Sequence, residues 1–246
     1  MKRIRIIFSF VWMMGMSTWV AQGITGTVAN TSDSGVGSFR DAIQQINASS
    51  DASNVTNFDI PGATPHVIFQ TSIDGWPAIT NQVLIDGYSE PDYARSPVVV
   101  LQYLPGAGEE GLKIQGNGSI VQGLQIADFE DSFVCCGISL NADNCVVEGC
   151  HIFSNGTGIS VLGNVNVIGG TNGNIVSGNP NTGIELISSS NDVLGNYIGT
   201  DITGTTSGGS QAAGIGLSSL SSHNTIGGTS EWMRNIISGN SIGIRA

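Results

Sequence analysis

The sequence predicts an all-β fold in which short strands stack as a parallel β-helix, with one amphipathic helix near the N-terminus. Two observations lead to this prediction. Glycine occupies 35 of 246 positions while only 11% of residues are charged, a composition that favours tight turns and many short strands over long helices. In addition, three short apolar patterns recur in step between residues 111 and 246, as expected of a repeat architecture.

The first pattern is a glycine followed by two apolar residues that alternate with a polar or small one. Its copies start with Gly111-Leu112, Gly137-Ile138, Gly158-Ile159, Gly183-Ile184, Gly214-Ile215 and Gly243-Ile244. Each copy is typical of a strand with one buried face. Because a lone short strand cannot bury that face, the copies are expected to stack, each strand pairing with its counterparts above and below. This stacking predicts an apolar ladder of Leu112, Ile138, Ile159, Ile184 and Ile215.

Two further patterns run in step with the first. One is an apolar residue two positions before a glycine: Val121/Gly123, Val147/Gly149, Val167/Gly169, Val193/Gly195 and Ile226/Gly228. The other is a three-residue strand signal beginning at Leu124, Cys150, Asn174, Asn196 and Asn235. Asparagines follow the glycine strands, and because Asn tolerates left-handed backbone angles they predict corners, with side chains able to bond along the stack: Asn144, Asn164, Asn191 and Asn224.

Residues 24–110 lack this regular repeat and are predicted to form an N-terminal cap and irregular first coils, followed by regular coils over 111–246. Residues 38–46 predict an amphipathic helix with Ser38 as N-cap and an apolar face of Phe39, Ala42, Ile43 and Ile46. A helix across the end of the stack would cover its open core and unpaired strand edges. Further strands are predicted over 24–28, 55–60, 66–69, 82–86 and 98–101.

The first 23 residues have the order of a secretory signal peptide: a basic start, an apolar run over 6–20 and small residues at Ala21-Gln22-Gly23. The basic residues are Lys2, Arg3 and Arg5. An uncleaved membrane anchor is the alternative, but the run is shorter than the ~20 residues of a typical span. We therefore expect a secreted or cell-surface protein with no transmembrane segment beyond this signal.

The formal net charge of −11 becomes −14 without the signal, because three of the eight basic residues lie in it. A surface this acidic disfavours nucleic acid and anionic lipid as partners. It also makes uronic-acid polymers poor partners unless a cation bridges them.

Four cysteines, Cys135, Cys136, Cys145 and Cys150, lie within sixteen positions, and their spacing does not match a CxxC zinc site. Export allows a disulfide whose pairing the sequence leaves open. The alternative is that Cys145 and Cys150 are small buried core residues.

Several segments resemble a bacterial family of large exported proteins with the pectate-lyase-like fold. They are 28–43, 58–62, 77–80, 85–89, 195–201, 224–229 and 234–240. The resemblance covers most of the chain after the signal and implies a right-handed parallel β-helix. It does not imply a pectate lyase activity, because one fold hosts many functions. Since the family's proteins are often much longer and the last glycine strand stops at Ala246, we expect a fragment or a product truncated at the C-terminus.

A search for catalytic groups yields no set to assign. Asp128, Glu130 and Asp131 are weak calcium candidates, and a solvated loop is the favoured interpretation of them. Asp201 is expected to cap a turn, and His151 to point outward from a strand. No cofactor other than calcium is suggested.

The sequence therefore favours a non-catalytic, adhesin-like or glycan-contacting scaffold, with a polysaccharide or a host or cell-surface glycan as partner. The alternative is a polysaccharide-active enzyme, either a lyase or a glycoside hydrolase, built on the same fold. The oligomeric state is left open.

Overall fold

The structure is a computed structural model that describes residues 23–105, 110–130 and 135–246. The predicted signal peptide therefore lies almost wholly outside the described residues. One α-helix, α1, spans Phe39–Ala48, and single 3-10 turns span Gly87–Ser89 and Glu231–Met233. The strands are β1 (Thr25–Val28), β2 (Asn54–Phe58), β3 (His66–Gln70), β4 (Val83–Asp86), β5 (Val99–Tyr103), β6 (Leu112–Ile114), β7 (Ile120–Gln122), β8 (Gln125–Ala127), β9 (Cys136–Leu140), β10 (Val146–Glu148), β11 (His151–Phe153), β12 (Thr157–Val161), β13 (Val167–Gly169), β14 (Ile175–Ser177), β15 (Thr182–Leu186), β16 (Asp192–Leu194), β17 (Tyr197–Ile198), β18 (Ala213–Leu217), β19 (Thr225–Ile226), β20 (Ile236–Ile237) and β21 (Ile242–Arg245).

These strands form three sheets in which all pairs of named strands are parallel. Sheet A has the order β1-β2-β4-β7-β10-β13-β16-β19, sheet B β3-β5-β8-β11-β14-β17-β20, and sheet C β6-β9-β12-β15-β18-β21. From β7 onward the chain visits A, B and C in turn, so every third strand returns to the same sheet one layer further along. This all-β arrangement with very few helices is consistent with the predicted parallel β-helix.

The predicted apolar ladder of sheet C is confirmed residue by residue. Leu112 pairs with Ile138, Ile138 with Ile159, Ile159 with Ile184, and Ile184 with Ile215. All five are buried. At about 1.5–3 kcal/mol per buried aliphatic side chain, such a ladder contributes substantially to stability.

The pattern of an apolar residue two positions before a glycine, which falls in sheet A, is wrong at one position. Val147 pairs with Ile168 rather than with Val167, and Ile168 pairs with Val193. Ile168 is fully buried, whereas Val167 is only half-buried on the other face of β13. The cause is a glycine pair: both Gly169 and Gly170 have positive φ, and Gly170 rather than Gly169 lies two positions after the inward residue.

Buried asparagines form hydrogen-bonded ladders along the stack. Asn155 donates to Asn179, whose amide donates to Gln211, and Gln211 donates to Asn240. A second ladder runs from Asn174 through Asn196 to Asn235. These ladders satisfy polar groups that would otherwise be costly to bury inside the coil.

The four asparagines predicted to form corners do not all stack on one another in a single column along the coils. The side chains of Asn191 and Asn224 accept backbone N–H bonds from the preceding members of a column that begins at Asn166. Asn144, with φ +59°, occupies the predicted left-handed bend, and its N–H bonds the carbonyl of Asn164. Asn144 therefore lies one position, and Asn164 two positions, before that column in their coils, so the two asparagines belong to different columns.

Helix α1 forms as predicted, with the Ser38 side chain accepting a hydrogen bond from the N–H of Asp41. Its buried residues are the predicted Phe39, Ala42, Ile43 and Ile46. Phe39 packs against Phe58 and edge-on against Trp76, with ring centroids 6.1 and 5.3 Å away. The helix thereby continues the apolar core beyond the first strands.

The irregular first coils join the same sheets as the regular ones. β4 pairs with β7 in sheet A and β5 with β8 in sheet B, so both sheets continue across residue 110. Within the described part of the chain, no helix is long and apolar enough to cross a bilayer.

Candidate functional site

The outer face of sheet B carries a row of aligned side chains. His151 pairs in register with Ile175, Ile175 with Tyr197, and Tyr197 with Ile236. Successive side chains of a strand point to opposite faces, and the next residue of each strand points into the core. These four side chains therefore point outward and remain partly exposed. At ~4.8 Å per strand the row extends over about 14 Å. It forms part of the lining of a groove of about 590 Å³.

A loop that follows sheet A contributes two tyrosines to the groove. The Asp86 side chain accepts a hydrogen bond from the N–H of Tyr88 and so starts a 3-10 turn. Tyr93 lies on the same loop, and its ring contacts that of Tyr88 edge-on with centroids 4.8 Å apart. Arg95 and Pro97 continue the groove lining.

The 3-10 turn at Glu231–Met233 contributes the opposite end of the sequence to the same groove. Trp232 is 46% exposed, which is high for so large an apolar side chain. The carbonyl of Met233 accepts the N–H of Gly195, which ties this turn to the preceding coil. The groove therefore combines aromatic side chains from these two loops and from sheet B, and brings Tyr88 to the same groove as Tyr197 and Trp232, which lie more than a hundred residues later in the chain.

Burial sets the protonation of the groove side chains. Burial raises the pKa of Tyr88, and the electrostatic effect of the neighbouring Tyr93 raises it further. Burial is also the main cause of the raised pKa of Tyr93. Both phenols therefore stay protonated at neutral pH and can donate hydrogen bonds. Burial lowers the pKa of His151, so its imidazole is uncharged at neutral pH.

The distribution of positive charge singles out this groove. Three basic residues outside it form ion pairs: Arg40 with Asp33, Lys113 with Glu110, and Arg245 with Glu185. Arg95 and Arg234 are exposed, line the groove and make no ion pair with any residue that the structure describes. In a chain of net charge −11, these two guanidinium groups remain available to a ligand.

Gly149 makes room for the Tyr88 ring. It has φ +59°, and a Cβ there would overlap the Tyr88 hydroxyl oxygen. We expect Gly149→Ala to lower the free energy of unfolding by about 1–2 kcal/mol from backbone strain, and by a further amount because its Cβ overlaps the Tyr88 hydroxyl and displaces Tyr88 from the groove. Urea denaturation measures the loss. Gly227→Ala is the matched control, because its φ is +81° but its Cβ would meet nothing closer than 3.8 Å. An equal loss in both variants would show that Tyr88 does not occupy this position.

A second cluster lies at the start of sheet B. His66 Nε2 lies 3.7 Å from Glu90 Oε1 and 4.0 Å from Asp92 Oδ2. His66 and Glu90 are buried, with 3% and 2% of their side chains exposed, whereas Asp92 is 56% exposed. The three ligand-type atoms lie within 4.8 Å of one another, a spacing that could hold a metal ion.

The sequence-predicted calcium candidates are placed differently. Asp128 has φ +69°, and its carboxylate accepts a hydrogen bond from Gln102. Glu130 is exposed, and Asp131 lies outside the described residues. Calcium binding there stays a prediction. The residues that the structure does bring together, His66, Glu90 and Asp92, were not recognised in the sequence because they belong to a strand and a loop without a motif.

The cysteines occupy buried positions. Cys145 and Cys150 are free thiols, and each donates to backbone carbonyls, Cys145 to Asp143 and Cys150 to Glu148. Burial raises the pKa of Cys136 and of Cys150 to about 12, so these thiols are poor nucleophiles at neutral pH. Cys135 is also buried. A disulfide among them stays a prediction.

Asp201 caps a turn as predicted. Its carboxylate accepts hydrogen bonds from the N–H groups of Thr203 and Thr206. The carboxylate also accepts the Thr203 hydroxyl, and this bond, followed by those from Thr206, lowers the pKa of Asp201. His151 points outward as predicted and belongs to the groove.

No protein-family model matches the chain, and no curated protein is significantly similar to it in sequence. The resemblance to exported bacterial β-helix proteins therefore stays a prediction about family, while the stacked parallel sheets agree with its fold.

Proposed function

We propose that this protein is a non-catalytic, exported scaffold, adhesin-like in character, that binds an acidic glycan in the groove along sheet B. The observation that carries the proposal is the joint presence, in one groove of about 590 Å³, of partly exposed aromatic rings and two arginines that form no ion pair with any described residue. Ligand sites are typically concave, largely apolar and aromatic, with a few polar groups that fix orientation.

The aromatic rings suit a sugar ligand. Tyr88, Tyr93 and Trp232 line the same groove, and each side chain combines an apolar ring with a polar N–H or O–H group. The apolar faces of sugar rings pack on such rings, while hydroxyls bond their polar tips. The aligned row of β11, β14 and β17 offers a straight floor for an extended chain.

The arginines favour a sugar that carries carboxylates. A guanidinium group forms planar, bidentate hydrogen bonds with a carboxylate. Arg95 and Arg234 place two such groups in the groove, against one carboxylate, Glu231, among its described lining residues. The whole-chain charge disfavours uronic-acid polymers, but the local charge of the groove favours them.

The small number of carboxylates among the groove's described lining residues favours binding over hydrolysis. Glycoside hydrolysis by acid catalysis uses two carboxyl groups that flank the scissile bond, and Glu231 is the single carboxylate among the lining residues that the structure describes. A polysaccharide-active enzyme remains the second candidate, because Glu231 shares the groove with the neutral imidazole of His151.

The remaining parts of the proposal are the handedness, the cap and the export. Connections between parallel strands of one sheet are right-handed in almost all proteins, which supports a right-handed coil. The buried face of α1 packs on β1 and β2 at the first layer, which supports its role as the cap. The charged and apolar order of residues 1–23 supports export to the exterior or cell surface.

Binding is tested with a galacturonic-acid oligosaccharide and a neutral glucose oligosaccharide of equal length, by calorimetry. We expect the acidic chain to bind more tightly, and Trp232→Ala to weaken it roughly tenfold by removing one stacking ring. Arg95→Gln with Arg234→Gln should abolish the preference for the acidic chain and flatten its salt dependence.

The matched control is Leu220→Ala, which removes a side chain that is 86% exposed and lies outside the groove. Equal binding of the acidic oligosaccharide by the wild type and the arginine double variant would contradict the proposal. Release of shortened or unsaturated sugars would replace it with the enzymatic candidate.

A further inference from the structure

We propose that His66, Glu90 and Asp92 form a site for a divalent transition-metal ion of the zinc class. None of these three residues is among the described lining residues of the groove, and the proposal does not depend on the proposed glycan binding. The inference comes from a buried imidazole nitrogen that has no hydrogen-bond partner and faces two carboxylates.

The unpartnered atom is His66 Nε2. It is buried, and the nearest carboxylate oxygen, Glu90 Oε1, is 3.7 Å away, which is too long for a hydrogen bond. A buried polar atom without a partner is uncommon in folded proteins and costs stability. A metal ion between the imidazole and the carboxylates would satisfy it.

Glu90 has the environment of an oriented ligand. Its Oε2 accepts the backbone N–H of Ile60 at 3.1 Å, which leaves Oε1 directed at His66. Its carboxylate is almost fully buried, and an ionised carboxylate is expensive to bury without a compensating positive charge. A hydrogen bond to the second oxygen of a ligand is the usual way in which proteins orient metal-binding carboxylates.

The local chain brings Asp92 to the same point. The carbonyl of Glu90 accepts the N–H of Tyr93, forming a tight turn with Asp92 inside it. The Oδ2 atom of Asp92 lies 4.0 Å from His66 Nε2, on the exposed side of the cluster. Two buried ligands and one exposed ligand leave a path for an ion to enter from solvent.

The distances and donor atoms select the metal class. Bond lengths of about 2.0–2.2 Å in a tetrahedral zinc site place ligand atoms about 3.3–3.6 Å apart. The separations of 3.7 and 4.0 Å from His66 Nε2 to the two carboxylates need to close by only a few tenths of an ångström, and the two carboxylate oxygens lie within 4.8 Å of each other. Imidazole nitrogen suits zinc and related transition metals, whereas calcium takes oxygen ligands. Three protein ligands also leave a fourth position open.

Metal binding would stabilise the loop that contributes Tyr93 and Arg95 to the groove. Glu90 and Asp92 belong to this loop, while His66 belongs to β3. An ion shared by them would link the loop to sheet B.

The test is titration of the metal-free full chain with Zn²⁺ alone, by calorimetry and by thermal unfolding. We expect one Zn²⁺ per chain and a rise in the unfolding temperature, because an ion that binds only the folded state stabilises it. Asp92→Asn should weaken binding by roughly tenfold or more, and His66→Gln should abolish it. Ca²⁺ should not displace Zn²⁺.

Asp74→Asn and His223→Gln are matched controls, since both replace exposed residues outside the cluster and should leave Zn²⁺ binding unchanged. Asp92 is mostly exposed, so its variant is expected to fold even if His66→Gln does not. Absence of saturable Zn²⁺ binding in the wild type would overturn the proposal. Unchanged binding in Asp92→Asn would also overturn it, by placing the ion elsewhere, and displacement by Ca²⁺ would overturn the metal class.

Discussion

Replacing Ile159 with alanine is expected to lower the free energy of unfolding by about 2–5 kcal/mol. Ile159 lies in the middle of the sheet C ladder, is fully buried, and pairs with Ile138 on one side and Ile184 on the other. The substitution removes apolar surface from the core and leaves a cavity that neighbours in register on both sides cannot easily fill.

Urea denaturation followed by circular dichroism measures this effect. Ser160→Ala is the matched control, because Ser160 is the next residue of β12 and is only half-buried, on the opposite face. Its replacement should change stability by less than about 0.5 kcal/mol. A loss below about 1 kcal/mol for Ile159→Ala would show that the ladder is not a tightly packed core.

Replacing Asn179 with alanine is expected to destabilise the fold by about 1–3 kcal/mol or more for each buried polar group left without a partner. The Asn179 carbonyl oxygen accepts from both the backbone and the side chain of Asn155, and its amide donates to the carbonyl of Ile152. Because the side chain is fully buried, no solvent replaces these bonds.

The same denaturation experiment tests this prediction, with Asn172→Ala as the control. Asn172 lies on the preceding turn but is exposed, so water replaces whatever its side chain bonds. Equal stabilities of the two variants would mean that the asparagine ladder adds nothing beyond ordinary turn formation. A loss confined to Asn179→Ala would identify the ladder as a structural element of the stack.

These ladders matter for the groove because they hold the strands that form its floor. His151, Ile175 and Tyr197 stay aligned only while each layer keeps its register with the next. The inward residues of β11, β14 and β17, which are Ile152, Val176 and Ile198, are all fully buried and fix that register. Rigid elements of this kind position binding side chains more precisely than loops do.

Much of the fold could be predicted from the sequence because its signals are local and repeated. The glycine pattern predicted the sheet C ladder, and the Ser38 cap and the spacing of Phe39 and Ile43 predicted α1. The failure at Val167 has a local cause: two adjacent glycines offer two registers, and a count of positions cannot choose between them. The strand pairing chooses Ile168, because only that residue stacks on Val147 and Val193.

The sequence by itself determined the repeating coil, its apolar ladders and the amphipathic helix, because each depends on residues close together in the chain. Only the tertiary structure decided the groove and the metal cluster. Residues that meet across the stack are separated by unequal intervals, from 21 between Cys145 and Asn166 to 39 between Asn196 and Asn235. With coils of unequal length, the stacking register and the path of each loop bring Tyr88 and Trp232 to one groove and His66 close to Glu90, and neither follows from local spacing.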